Sequence, residues 1–120
     1  MSCESKNVNT IVKAIDKKQG RDIQVLNLNE LTTLTDYFVI ATGGSNRNVQ
    51  AICDFVEEEM QKIGAKLWNK EGYDSAEWIL LSYDDVIVHI FQEEPREFYK
   101  LEHIWKDAPI VDIEDLIDEK

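Results

Sequence analysis

EGYDSAEWILLSYDDVIVHIF, residues 71–91, is the stretch on which the fold turns. Two apolar runs, residues 78–83 and 86–91, flank the pair Asp84-Asp85. Each run has the length of a strand and is too short for a helix. Val86, Ile87, Val88 and Ile90 add the β-branching that favours a strand. The expectation is a hairpin in the middle of a sheet. Asp-Asp is a weaker turn signal than Asp-Gly, because a two-residue type I′ turn needs positive φ at both central positions. A turn that tight would hold Asp84 or Asp85 left-handed. A longer or bulged link is equally open.

Upstream of the hairpin, residues 65–70 read as a further strand, with Ala65 and Leu67 on one side and Lys66, Trp68 and Lys70 on the other. Before it, Val49, Ile52, Cys53, Val56, Met60 and Ile63 make one apolar helical face, with Ser45 as N-cap and Gly64 as the stop. The run from Tyr37 to Ala41 is apolar without alternation, which marks an interior strand covered on both faces. Residues 23–28 form another strand whose parity changes at Leu26, through a bulge or through cover on both sides. Val8, Ile11, Val12 and Ile15 place a first helix over residues 7–18, with Gly20 as its C′ residue. Downstream of the hairpin, a last helix opens at Glu94-Pro95, with proline at its first position. It buries Phe98, Leu101, Ile104 and Trp105, with Tyr99 at the margin, and ends at Ala108-Pro109. The acidic tail beyond it either docks or stays mobile. The order helix, strand, strand, helix, three strands, helix predicts a single α/β domain over residues 1–108, a mixed sheet of roughly five strands covered by helices, followed by a tail over 109–120.

The 120 residues are 43% hydrophobic, enough for one core, and carry a net charge of −11. That charge repels a phosphate backbone and favours encounter with a basic protein. Cys3 and Cys53 lack zinc-like spacing and read as free thiols of a reducing cytosol. No stretch resembles a signal peptide or a membrane span, so a cytoplasmic location is expected.

Chemistry is harder to find. Gly43-Gly44-Ser45 lies between a strand and a helix, as in phosphate-binding loops, but no Walker lysine follows and the dinucleotide spacing is absent. A nucleotidyltransferase using Gly44-Ser45 would need an acidic pair on the next strand. The next acidic cluster, Glu57-Glu58-Glu59, lies on a helix instead. Asp84-Asp85 at a turn reads as a solvated pair and not as a metal site. His89 shares strand parity with Ile87 and Phe91, so a satisfied, semi-buried histidine is expected, and no nucleophile can be paired with it. Neither a catalytic set nor a cofactor or metal is expected. Trp78 is more telling. It opens a strand apolar on both parities, whose cover is either a helix of the same chain or another protein.

The segments Asp36-Tyr37-Phe38-Val39-Ile40-Ala41, Gly44-Ser45-Asn46-Arg47-Asn48-Val49, Glu71-Gly72 and Trp78-Ile79-Leu80 have a distinctive order. So do Asp85-Val86-Ile87-Val88-His89-Ile90-Phe91 and Arg96-Glu97-Phe98-Tyr99-Lys100-Leu101-Glu102, with Trp105 after them. Together they resemble the ribosomal silencing factor family, also called Iojap-like. The resemblance implies a nucleotidyltransferase-like α/β fold without catalytic residues. It implies binding to the fourteenth large-subunit ribosomal protein, steric blocking of joining with the small subunit, and lowered translation when nutrients are scarce. Family members can also form homodimers. Carried onto this chain, the partner-binding residues are Trp78 and Leu80, with Tyr83, Asp84 and Asp85 at the turn and Glu71 and Gly72 nearby. The family commonly has Asp-Tyr-Gly-Asp where this chain has Ser82-Tyr83-Asp84-Asp85, so Ser82 removes a carboxylate and Asp84 replaces a glycine.

Overall fold

The computed structural model describes residues 5–117. Five strands form one sheet in the order β1-β2-β5-β4-β3. They are β1 (Arg21–Asn27), β2 (Tyr37–Gly43), β3 (Asn69–Glu71), β4 (Trp78–Ser82) and β5 (Val86–Gln92). Only β2 and β5 run parallel, so the sheet is mixed, as the order of elements predicts. The interior place of β2 follows from its composition: Val39 and Ala41 face one core, Phe38 and Ile40 the other. Of the two explanations for the parity change at Leu26, cover on both sides holds, since pairing with β2 is regular from Gln24 to Asn27. A bulge lies between Arg21 and Gln24, with Asp22 at φ 52°, and Val25 and Leu26 are buried in opposite cores.

One sheet face is covered by α1 (Lys6–Lys17) and α2 (Asn46–Lys62). Their apolar stripes are fully buried from Val8 to Ile15 and from Val49 to Met60, which gives the larger core. Each helix starts on a serine. The Ser5 hydroxyl accepts from the Val8 N–H at 3.2 Å, and the Ser45 hydroxyl accepts from the Asn48 N–H at 3.0 Å. Gly64, at φ 77°, stops α2. The end of α1 differs from expectation: the left-handed residue is Gln19, at φ 66°. Gly20 serves space instead, since a Cβ there would lie 2.3 Å from the Ile15 Cγ2.

The third strand is shorter than residues 65–70. The Ala65 N–H still binds the Met60 carbonyl, and pairing to β4 begins only where the Trp68 N–H meets the Ser82 carbonyl at 2.8 Å. The hairpin turn is tight, with Tyr83 donating to the Val86 carbonyl at 2.9 Å across two linking residues. Neither Asp84 nor Asp85 has a positive φ, against the expectation for so short a link. Contacts outside the turn hold it in place. The Asp85 carbonyl accepts from the Tyr37 N–H at 3.1 Å, and its carboxylate accepts from Ser5 at 2.8 Å and Asn7 at 2.9 Å.

The last helix is two helices. α3 (Glu93–Tyr99) and α4 (Leu101–Ile104) are separated by Lys100 in a left-handed conformation, φ 50°. Pro95 is therefore the third helical residue, still within the first turn, where its missing N–H goes unused. The break also undoes the expected buried stripe. Leu101 is buried, but Phe98 is 80% and Ile104 65% exposed. Of the two alternatives for the tail, docking holds over residues 109–117. The Val111 N–H reaches the Val25 carbonyl at 2.8 Å, and Ile113 and Leu116 enter the larger core. Cys53 is a buried free thiol, while Cys3 lies outside the described residues. No helix among the described residues is long and apolar enough to cross a membrane.

Candidate functional site

The two sheet faces are unequally covered. On the face away from α1 and α2, the short α3 and α4 lie over β2 and β5 and leave the β4 side partly open. Register places Trp78 opposite Phe91, Leu80 opposite His89 and Ser82 opposite Ile87, all on this face. Glu71 of β3 stands across from Leu80, exposed. Trp78 and Leu80 are half-buried. The Trp78 ring stacks on Phe91 at 4.8 Å between centroids and meets Tyr99 of α3 at 4.7 Å. Its indole N–H donates to the His89 Nδ1 at 3.0 Å. Trp78 thus has cover from its own chain and still keeps accessible surface, the property of a pre-ordered aromatic anchor.

The residues grouped with Trp78 by the resemblance divide. Tyr83 lies on the opposite face with Ile79 and Leu81, only 5% exposed, and burial pushes its hydroxyl pKa upward. It packs in the larger core. Asp85 is turned inward to hold the start of α1. Gly72 acts through its backbone, at φ 81°, with the Trp78 carbonyl so close that a Cβ would lie 2.1 Å from it. Asp84 is exposed and accepts the indole N–H of Trp68, over whose ring the Lys66 ammonium sits at 4.2 Å. Trp78, Leu80 and Glu71 therefore share one surface, and Asp84 stands apart at the turn, against Trp68. Residue-by-residue reading missed Tyr99, which completes the Trp78 stack, and Trp68, which is 60% exposed.

His89 is more buried than expected, at 3% exposure, and only half satisfied: among the described residues its Nε2 has no hydrogen-bond partner. Burial lowers its pKa to about 3. Folding therefore excludes a proton that the unfolded chain binds below its ordinary value of 6.5. With the folded pKa depressed, the neutral ring stabilises the fold above about pH 6.5, and that stability drains away as pH falls towards 3. The expected loss between pH 7 and pH 5 is about 2 kcal/mol. Urea unfolding at pH 7, 6 and 5 checks this, and a His89→Phe chain should lack that part of the slope. Equal slopes for the two chains would contradict it.

Two further groupings bear on chemistry. Ser45 and Gly44 are engaged locally, Ser45 as a cap and the Gly44 N–H with the Asn48 side chain at 2.8 Å. A cleft of about 510 Å³ beside them is lined by Arg21, Gln92, Glu93, Glu94 and Glu97, carboxylates that sequence order does not place near this loop. Among the described residues, the one set of three metal-ligand types within reach of one another lies elsewhere, at Cys53, Asp54 and Glu57. Each is already bound: the Cys53 thiol, its pKa raised to about 12 chiefly by burial, donates to Glu57, Lys70 pairs with Glu57 at 2.7 Å, and Tyr73 donates to Asp54 at 3.0 Å.

Fold and site together define a small mixed-sheet α/β protein whose most distinctive surface is a half-covered aromatic sheet face. The whole length, residues 2–120, matches the family described as ribosomal silencing factor during starvation, and the chain belongs to that family. It is 37% identical over 106 residues to Ribosomal silencing factor RsfS of Halalkalibacterium halodurans, covering 88% of this chain and 91% of that one. A mouse protein named Mitochondrial assembly of ribosomal large subunit protein 1 is 26% identical over 102 residues, covering 82% of this chain and 45% of that one. A crystal structure of a Chromobacterium violaceum protein superposes with a TM-score of 0.83 at 31% identity, covering 88% of each chain.

Proposed function

We propose that this protein represses translation by binding the large ribosomal subunit through its fourteenth ribosomal protein, so that its bulk blocks joining with the small subunit under nutrient limitation. The observation that carries the reading is Trp78, ordered between Phe91 and Tyr99 and still half-exposed beside Leu80. A basic ribosomal protein suits a chain of net charge −11 with Glu71 on that face and Asp84 exposed at the turn after β4. The family supplies the ribosomal context, and the name of the mouse relative points to the large subunit. The role is one of occlusion in the cytosol, without catalysis, cofactor or sequence-specific contact to nucleic acid. Homodimers, which the resemblance also implies, would be read by light scattering of the free protein.

Sedimentation with isolated large subunits tests the reading. The protein should pellet with complete subunits and remain in the supernatant with subunits lacking the fourteenth protein. Pelleting with both would place the contact elsewhere. The competing reading, a nucleotidyltransferase using Gly44-Ser45 and its acidic cleft, predicts a thermal shift with nucleoside triphosphate and magnesium. The occlusion reading predicts none.

Asp84, exposed at the turn after β4, should act on encounter. Asp84→Asn keeps an acceptor for Trp68 and removes the charge. Its association rate with large subunits should fall about two- to threefold at low salt and match the wild type once the Debye length shrinks to about 3 Å near 1 M salt. Stopped-flow association across a salt series checks this. A loss that is equal at all salt concentrations would mean a buried contact instead.

A further inference from the structure

We propose that His89 is a positioning residue for partner binding: its buried Nδ1 holds the Trp78 indole in the one orientation that presents the ring to the partner. This rests on the docking role proposed for Trp78. His89 is an unusual choice for its place. It stands on the central strand, in an aromatic setting of Phe38 at 4.5 Å, Trp78 at 5.8 Å and Phe91 at 6.3 Å between ring centroids. Packing alone would be served better by phenylalanine, which brings no polar atoms. The imidazole brings two, and only one is used. Because Nδ1 accepts from the indole, the neutral ring carries its proton on Nε2, and that N–H is buried with no acceptor among the described residues. An orphaned buried donor is unfavourable for folding. The only return visible for it is the bond to Trp78.

That bond matters because Trp78 lies at the start of β4 and is half-exposed, so packing covers only part of its ring. Stacking on Phe91 and contact with Tyr99 fix the plane of the ring but tolerate sliding within it, since such contacts are weakly directional. The hydrogen bond to Nδ1 fixes which edge points down into the sheet, and so which edge remains outside. An anchor ordered before contact loses less freedom on binding. Burial keeps the ring neutral, the form in which Nδ1 can accept the indole N–H.

The test uses two substitutions in the full chain and a binding measurement to purified large subunits. His89→Phe keeps the ring and deletes both nitrogens. His89→Asn keeps an acceptor near the position of Nδ1 but leaves space unfilled. His89→Phe is expected to melt at or above the wild-type temperature and to bind about three- to tenfold more weakly. His89→Asn should melt lower and yet bind more tightly than His89→Phe. The direct signature is the Trp78 indole N–H resonance, assigned by its disappearance in Trp78→Phe. It should be slow to exchange in the wild type and in His89→Asn, and fast in His89→Phe. Opposite orders of stability and affinity would support positioning, since a purely structural histidine moves both together. Wild-type affinity for His89→Phe, with Trp78→Ala impaired, would overturn the inference and leave the docking face intact. Affinity that tracks melting temperature across both variants would overturn it as well. Wild-type binding by a folded Trp78→Ala would remove the docking face itself, and the inference with it.

Discussion

Gly72→Ala is expected to destabilise the protein by roughly 3 kcal/mol, the sum of a left-handed penalty of about 1–2 kcal/mol and a steric one of similar size. Two independent features converge at this residue. Its φ is 81°, where a Cβ is strained wherever it points, and that Cβ would lie 2.1 Å from the Trp78 carbonyl oxygen. The obstacle is backbone of a paired strand, not the end of a flexible side chain, so it can yield only by moving β4. The melting temperature should fall by about 10–15 °C, taking about 4 °C per kcal/mol for a chain of this size. Because the displaced atom belongs to Trp78, surviving folded protein should also bind large subunits less well. A melting temperature within a few degrees of the wild type would show that the loop has another conformation open to it.

The second large effect is expected at Arg96. Its Nε and Nη2 hold Glu102 at 2.8 and 2.6 Å, and its Nη1 donates to the Thr42 hydroxyl at 2.8 Å. The guanidinium is largely buried, and it bridges α3, α4 and β2 across the left-handed break at Lys100. Removing one partner of such a pair strands the other. Arg96→Ala should cost about 2–4 kcal/mol, the lower part of that range reflecting the partial exposure of Glu102. Arg96→Lys should recover little, since an ammonium cannot fork to both groups. Hydrogen exchange gives the clearest check, with protection lost over residues 96–105 while β2 and β5 remain protected. Unchanged protection there would mean that apolar contacts of Leu101 and Trp105 hold the helices without the bridge.

Both effects fall on features of unequal legibility. Gly72 was visible as a glycine but not as a close approach, because the carbonyl it meets is six residues away across a paired strand. The break at Lys100 carried no signal at all. Neither glycine nor proline marks it, and the apolar spacing of Phe98, Leu101 and Trp105 reads as one continuous stripe. That spacing sends Phe98 to the core, whereas the break leaves it outside. By contrast, the run Tyr37 to Ala41 declared an interior strand without ambiguity, because a strand apolar on both parities has no other stable place. The Ser45 cap and the hairpin 78–91 were equally plain, since each depends only on neighbours in sequence.

The site was half legible for the same reason. Strand parity already pairs Trp78 with Leu80 and sets Tyr83 with Ile79 and Leu81. Parity alone could not say which set lies under the long helices, as both are apolar. The role of Asp85 depends on Ser5 and Asn7, 80 and 78 residues distant, so no local pattern separates it from Asp84. The departure Asp84 for glycine is accommodated without a positive φ, and its carboxylate has found Trp68.

The central claim is that the Trp78 face carries the contact through which subunit joining is blocked. Joining of purified large and small subunits, followed by light scattering against rising concentrations of the protein, tests it most directly. Wild-type protein should inhibit joining. Trp78→Ala, shown by circular dichroism and melting to be folded, should need about thirtyfold more protein for the same inhibition, the consequence of losing an anchor worth about 2 kcal/mol. Inhibition by folded Trp78→Ala at the wild-type concentration would contradict the account and place the contact on another surface.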